Sequence, residues 1–306
     1  MAQPPSMGVL AHLGTNADTT ATPAAASTEY EFLSAAVGME REIIRNEGTR
    51  GTRMHPISRV RQGRKTSGGV IEMEPSYTDL VTLLPLIVGA AAATVHTVSD
   101  TVPVAFQLVA DKVAKVMTYT GCRTSRATFK GAPGQPLSLT WEIEALTESV
   151  GNAGTFASLT ISNTPPFVWH EGVLTLAGTA YEVMSWEMVL DWHLKLDRFV
   201  NSVTRTDLPS MDVTVMNTFT LPYTSDDTSL YDLFTETAEV ATGSTGDITF
   251  TKGGVSCKFA WAGQVFPAQK ALAVQSRDEI TLPLVAESRR TTAGVSPLVV
   301  TLDSTV

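Results

Sequence analysis

From Tyr30 onward, β-branched and aromatic residues alternate with polar ones between Gly, Pro, Asn and Asp punctuation, the period of β-strands. The clearest run is residues 186–196, where Trp186, Met188, Leu190, Trp192, Leu194 and Leu196 fall on one face. Glu187, Asp191, His193 and Lys195 fall on the other. Such a strand puts one side in a core and turns the other to water or a cavity. Residues 137–145 turn Leu137, Leu139, Trp141 and Ile143 inward, and residues 280–286 do the same with Ile280, Leu282 and Leu284. Trp261 also looks inward, which leaves Trp169, after Pro165 and Pro166, as the tryptophan expected at the surface. Residues 80–95 are apolar, but Pro85, Gly89 and two threonines interrupt them and they fall short of the ~18 residues of a membrane span. A buried helix followed by an alanine-rich turn is expected there.

The strand pattern repeats. Tyr119-Thr-Gly121 recurs as Trp261-Ala-Gly263, 142 positions on, in each case an aromatic, a small residue and a glycine expected to close a strand, and the strands beginning at Leu137 and Ile280 lie 143 apart. Residues 70–80 find a looser echo in residues 213–216 followed by 229–233. Three landmarks in one order at almost one spacing point to an internal duplication. Each half reads as strands, one helix and a closing group of strands. The helices are expected over 76–88 and 228–237, the second capped by Thr224, Ser225 or Asp226. The fold class is therefore mainly β: two tandem β-sandwiches or partly closed barrels, each with one flanking α-helix. Residues 1–29, with few groups to bury, are expected as a flexible N-terminal arm. The first domain covers 30–150, a Gly/Asn/Ser/Thr/Pro-rich linker 151–166, and the second domain 167–306.

Composition narrows the function. Of 306 residues, 43% are hydrophobic and 17% charged, a globular balance. A net charge of -9 repels polyanions on average and argues against a dedicated nucleic-acid binder. Cys122 and Cys257 lack CxxC or His spacing and read as buried, unpaired thiols. No basic segment followed by an apolar core opens the chain, so synthesis and use in a cytoplasm are expected. His12, His55, His96 and His170 are scattered, and no nucleophile elbow or phosphate-binding glycine loop occurs. Asp191, His193 and Asp197 could be read as metal ligands or an acid/base set, but Lys195 stands among them and a plain polar face is the stronger reading. No catalytic residue, cofactor or metal is assigned.

The segment 67–75, Ser-Gly-Gly-Val-Ile-Glu-Met-Glu-Pro, runs into the helix of 79–89 and is followed by Val116-Met-Thr-Tyr-Thr-Gly-Cys122 and a glycine-containing hairpin. This series resembles the first domain of siphophage tail tube proteins, the major tail proteins with two tandem tube domains. Residues 173–190 are similar to the opening hairpin of the second domain. The resemblance implies sandwiches joined edge to edge around a ring, and rings stacked into a tube through which DNA leaves the capsid without specific binding. It implies trimeric rings imitating sixfold symmetry, with hexameric rings as the alternative, other tail proteins at the tube ends, no membrane, and a place in the virion tail after assembly in the host cytoplasm. An edge strand carries unpaired N–H and C=O groups, and a closed ring pairs each edge with the next subunit. A distal tail or terminator protein, the inner tube of a contractile injection system, and a carbohydrate-binding β-sandwich are the other readings.

Two surfaces then gain candidate roles. Arg41, Arg45, Arg50, Arg53, Arg59, Arg61, Arg64 and Lys65 outnumber Glu42 and Glu47 in one segment. They read as a long loop or arm, with Gly48, Gly51 and Gly63 for flexibility, docking on acidic surface of the next ring; a bland solvated loop and DNA contact are the alternatives. Glu187, Asp191, His193 and Asp197 are the candidate lumen-facing residues, where negative charge keeps DNA from sticking.

Overall fold

A computed structural model of the chain describes residues 8–18, 22–45, 57–89, 91–92, 94–101, 103–151, 156, 159–222, 244–266, 281–291 and 294–305. The second expected helix, with its caps, lies outside the described residues, as does Ile280. The described part is mainly β. Its first half holds β1 (His12–Ala17), β2 (Thr28–Tyr30), β3 (Ser34–Arg45), β4 (Val60–Met73), β5 (Ala91–Ala92), β6 (Val95–Thr97), β7 (Phe106–Asp111), β8 (Val116–Gly131), β9 (Ser138–Ala145) and β10 (Thr147–Val150). The second holds β11 (Gly172–Leu176), β12 (Thr179–Tyr181), β13 (Ser185–Asp191), β14 (Thr214–Pro222), β15 (Ser244–Lys252), β16 (Val255–Val265), β17 (Thr281–Ser288) and β18 (Leu298–Asp303). One α-helix, α1 (Tyr77–Ile87), starts from a capping box in which the Ser76 hydroxyl accepts from the Asp79 N–H and Asp79 accepts from the Ser76 N–H. It buries Leu80, Leu83, Leu84 and Ile87.

The ladders fall into three runs. One crosses both halves in the order β3, β4, β9, β8, β13, β14, β17. A second runs β2, β1, β7, β8, β10, and a third β12, β11, β15, β16, β18, β6, β5. Long strand β8 serves two runs because it turns at Gly121. Seven pairings of the first half recur in the second. β1–β2, β1–β7, β7–β8, β8–β10, β8–β9, β4–β9 and β3–β4 have counterparts β11–β12, β11–β15, β15–β16, β16–β18, β16–β17, β14–β17 and β13–β14. The registers agree as well: Arg123 faces Glu144, and Val265 faces Glu287 at the same step. Across the next ladder Gly68 faces Glu144 and Met216 faces Glu287. Residues 70–73 therefore correspond to 218–221, not to the echo expected at 213–216.

The core is one continuous cluster between these layers, filled by the inward residues that alternation picks out: Leu137, Leu139, Trp141, Ile143, Trp186, Met188, Leu190, Leu282 and Leu284. Trp186 packs against Phe259 and Trp261 with ring centroids 5.3 and 6.0 Å apart. Two buried indoles place their N–H groups: Trp141 donates to the Thr124 hydroxyl and Trp192 to the Ile87 carbonyl, both at 2.9 Å.

Several expectations need correction. Over its described part the N-terminal segment is not a free arm, because β1 is built into the sheet between β2 and β7 and buries Leu13. Gln107 holds the following turn by accepting from the Ala24 N–H and donating to the Asp18 carboxylate and the Thr22 carbonyl. The strand of 186–196 stops at Asp191, and Leu196 is exposed. Tyr119 to Gly121 does not close a strand, since β8 continues to Gly131. Trp169 is buried, its ring 6.5 Å from that of Phe250 and over Gly131, where a Cβ would meet it at 2.4 Å.

Candidate self-association surface

The two halves meet strand to strand. β13 pairs antiparallel with the far part of β8, from Trp186 facing Gly131 to Asp191 facing Arg126. With Trp186, Met188 and Leu190 turned into the core, the polar residues between them meet partners from β8 on the outer face. Lys130 reaches Glu187 at 3.1 Å, and Arg126 donates to Asp191 at 2.6 and 2.9 Å. The Asp191 hydrogen bonds push the Arg126 pKa up from its ordinary value.

The four candidate lumen residues are thus not one face. Glu187 and Asp191 belong to β13 and are ion-paired. His193 lies beyond the strand with φ of +41°; its N–H donates to the Asp191 carboxylate and its ring Nε2 sits 2.9 Å from the Thr214 hydroxyl. Asp197 is farther out, exposed, with Lys195 at 4.0 Å. Among the described residues no group of three His, Cys, Asp or Glu side chains could hold a metal ion.

β3 contrasts with β13. Its ladder runs to β4 alone, and its other edge is unpaired among the described residues. The Val37 carbonyl accepts from Lys112 Nζ at 2.7 Å and from the Tyr119 hydroxyl at 3.2 Å. Beyond Arg41 and Lys65, β3 and β4 run on as a two-stranded hairpin, because β9 pairs with β4 only from Ser67 onward. The basic segment is therefore not a loop over its described part: Arg41 and Arg45 stand on β3, Arg61, Arg64 and Lys65 on β4, and Arg59 just before it. Arg50 and Arg53 lie outside the described residues. Ile43, Ile44, Ile57 and Val60 are exposed on the hairpin beside these cations. An open-edged ribbon that exposes apolar side chains among its cations is a template for another chain.

The family model for phage tail tube proteins matches residues 7–287. The chain belongs to the phage tail tube protein family. No curated protein sequence matches it. Family membership makes the chain a structural component of the bacteriophage virion tail that assembles with itself and with other tail proteins. Among the described residues no helix is long and apolar enough to cross a membrane.

One feature of this tail tube protein escaped the sequence reading. Arg205, in the connection between β13 and β14, is 6% exposed and reaches into the first half. Its guanidinium donates to Glu144 at 2.5 Å, to the Leu196 carbonyl at 3.1 Å and to the Ser67 carbonyl at 3.4 Å. Beside it, the Lys65 N–H donates to the Val203 carbonyl at 2.7 Å and the Arg64 guanidinium lies over the Phe199 ring at 5.2 Å. The connection of the second half is in this way seated on the base of the first half's hairpin. Nothing in the local pattern around Arg205 signals it, because its first-half partners Glu144 and Ser67 lie 61 and 138 positions away.

Proposed function

We propose that the chain is the repeating subunit of a siphophage tail tube, built from two tandem sandwich halves that descend from one duplicated unit. The observation that carries this reading is the β8–β13 ladder joining halves of matching pairing pattern. A junction repeated from copy to copy turns the free β3 edge into a ladder with a neighbour, and three copies then supply six similar halves to a ring. Closure satisfies the edges, and stacking of rings, which does not close, makes a hollow filament. DNA passes through without specific binding, as the net charge of -9 favours. The β13 face carrying Glu187 and Asp191, with His193 and Asp197 at its end, looks into this lumen. Pairing with Lys130 and Arg126 leaves that face close to neutral, which suits a wall that neither grips nor strongly repels phosphates. The basic hairpin of β3 and β4 reaches a neighbouring copy, and the subunit has neither catalytic group nor cofactor.

Negative-stain microscopy of the purified protein tests this. Long hollow filaments with six lobes and three chains per ring are expected. Single rings that never stack would make the protein a terminator or distal tail component, and a stable monomer would remove the tube reading.

A further inference from the structure

Among the described residues, the seat of Arg205 has an unfilled counterpart in the second half. Glu144 faces Gly68, and Glu287 faces Met216 at the corresponding step. Counting along β4 and β14 from these pairs, Ser67 corresponds to Val215 and Lys65 to Val213. In the first half this station is filled: Thr204 bridges to Lys65 and Arg205 sits on Glu144 and Ser67. In the second half the same station is an open cleft of about 790 Å³, whose walls include Asp212, Val213, Thr214 and Glu287. Among the described residues the Val213 N–H meets its neighbour's carboxylate, Asp212 Oδ1 at 2.8 Å, where the Lys65 N–H has a carbonyl from across the joint.

We propose that this cleft seats the β3–β4 hairpin of a second copy, with an arginine of its outer part on Glu287. The inference rests on the tube-subunit reading and names the partner of its basic hairpin. In the filled station the arginine comes from the β13–β14 connection, and the corresponding connection is the hairpin between β3 and β4. Arg45, Arg59 and Arg61 stand at its outer end, and none has an ion pair among the described residues. Charge is complementary: Asp100, Asp212 and Glu287 line the cleft against Arg289 and Arg290. Arg290 is spent on Asp100 at 3.0 Å, and Arg289, two residues from Glu287 and 66% exposed, holds it only through a solvated local pair that a second cation can replace. Met211, 71% exposed in the same cleft, offers apolar cover to Ile43, Ile44 or Val60 of the hairpin. The partner is then a lateral neighbour in the same ring, in place of the axial contact that the sequence suggests.

Charge exchange tests the seat. Glu287→Arg should leave a folded protein, checked by circular dichroism and thermal melting, that stays monomeric and forms no rings. Arg→Glu at Arg45, Arg59 or Arg61, introduced singly into that variant, should restore rings in one case. Normal assembly of Glu287→Arg, rings that form but fail to stack, or no restoration by any of the three exchanges would each overturn the proposal. Failure of the unaltered protein to assemble would overturn the tube reading together with it, and is told apart because it needs no substitution.

Discussion

Gly121 and Gly263 occupy equivalent steps of β8 and β16 with nearly the same left-handed backbone, φ of +62° and +59°. Each marks where a long strand leaves one ladder for another: β8 passes from β7 and β10 to β9 and β13, and β16 from β18 to β17. A side chain at positive φ costs about 1–2 kcal/mol by itself. An added Cβ would also meet Leu146 Cδ1 at 2.5 Å from position 121, and the Arg289 carbonyl oxygen at 2.5 Å from position 263. Gly263→Ala is expected to be the more damaging, since backbone yields less readily than a leucine methyl. Urea unfolding should show losses of about 2 kcal/mol or more for both, in that order.

Arg205 ties the halves together from a buried position. Arg205→Ala leaves Glu144 half-buried without its cation and strips the Leu196 and Ser67 carbonyls of a donor. A loss of about 3 kcal/mol is expected in chemical denaturation. Arg205→Met combined with Glu144→Gln should recover part of it, because the stranded charge is removed along with its partner.

His96 gives the fold a dependence on pH. It is 1% exposed between β5 and β18, neither ring nitrogen has a partner among the described residues, and burial lowers its pKa from the ordinary value. The folded chain keeps the ring neutral while the unfolded chain takes a proton below about pH 6.5. Stability should therefore hold above that pH and fall as pH drops from it toward the depressed folded value, by up to about 1.4 kcal/mol per pH unit. Urea midpoints at pH 7.5 and 5.5 should differ less in His96→Leu than in the unaltered protein.

Cys122 and Cys257 are buried, and burial pushes both thiols up from their ordinary pKa. Neither should react with iodoacetamide in the native protein over hours, and both should react in denaturant. Mass spectrometry before and after unfolding gives the count. Modification of the native protein would show that the packing around them opens.

Alternation of side chains sufficed to find β9, β13 and β17 with the inward residues those strands contain, and the apolar run that predicts a helix over 76–88 found α1. Such signals are local, because the side chains of one strand or one helical turn report their own periodicity. The 142-residue spacing of the two glycines was also legible, since a bend that needs positive φ restricts the residue type wherever it recurs. Register and partnership were not. β13 ends at Asp191, just before His193 takes a left-handed backbone with φ of +41°, and Trp192 donates to a carbonyl of α1 105 positions away; neither is visible in the run of alternating residues that continues past it. The same holds for β1, ordered by β7, and for Arg205, held by Glu144. Period and composition see which face of an element is apolar, whereas the choice of neighbour depends on how distant elements pack, and only the tertiary structure decides that.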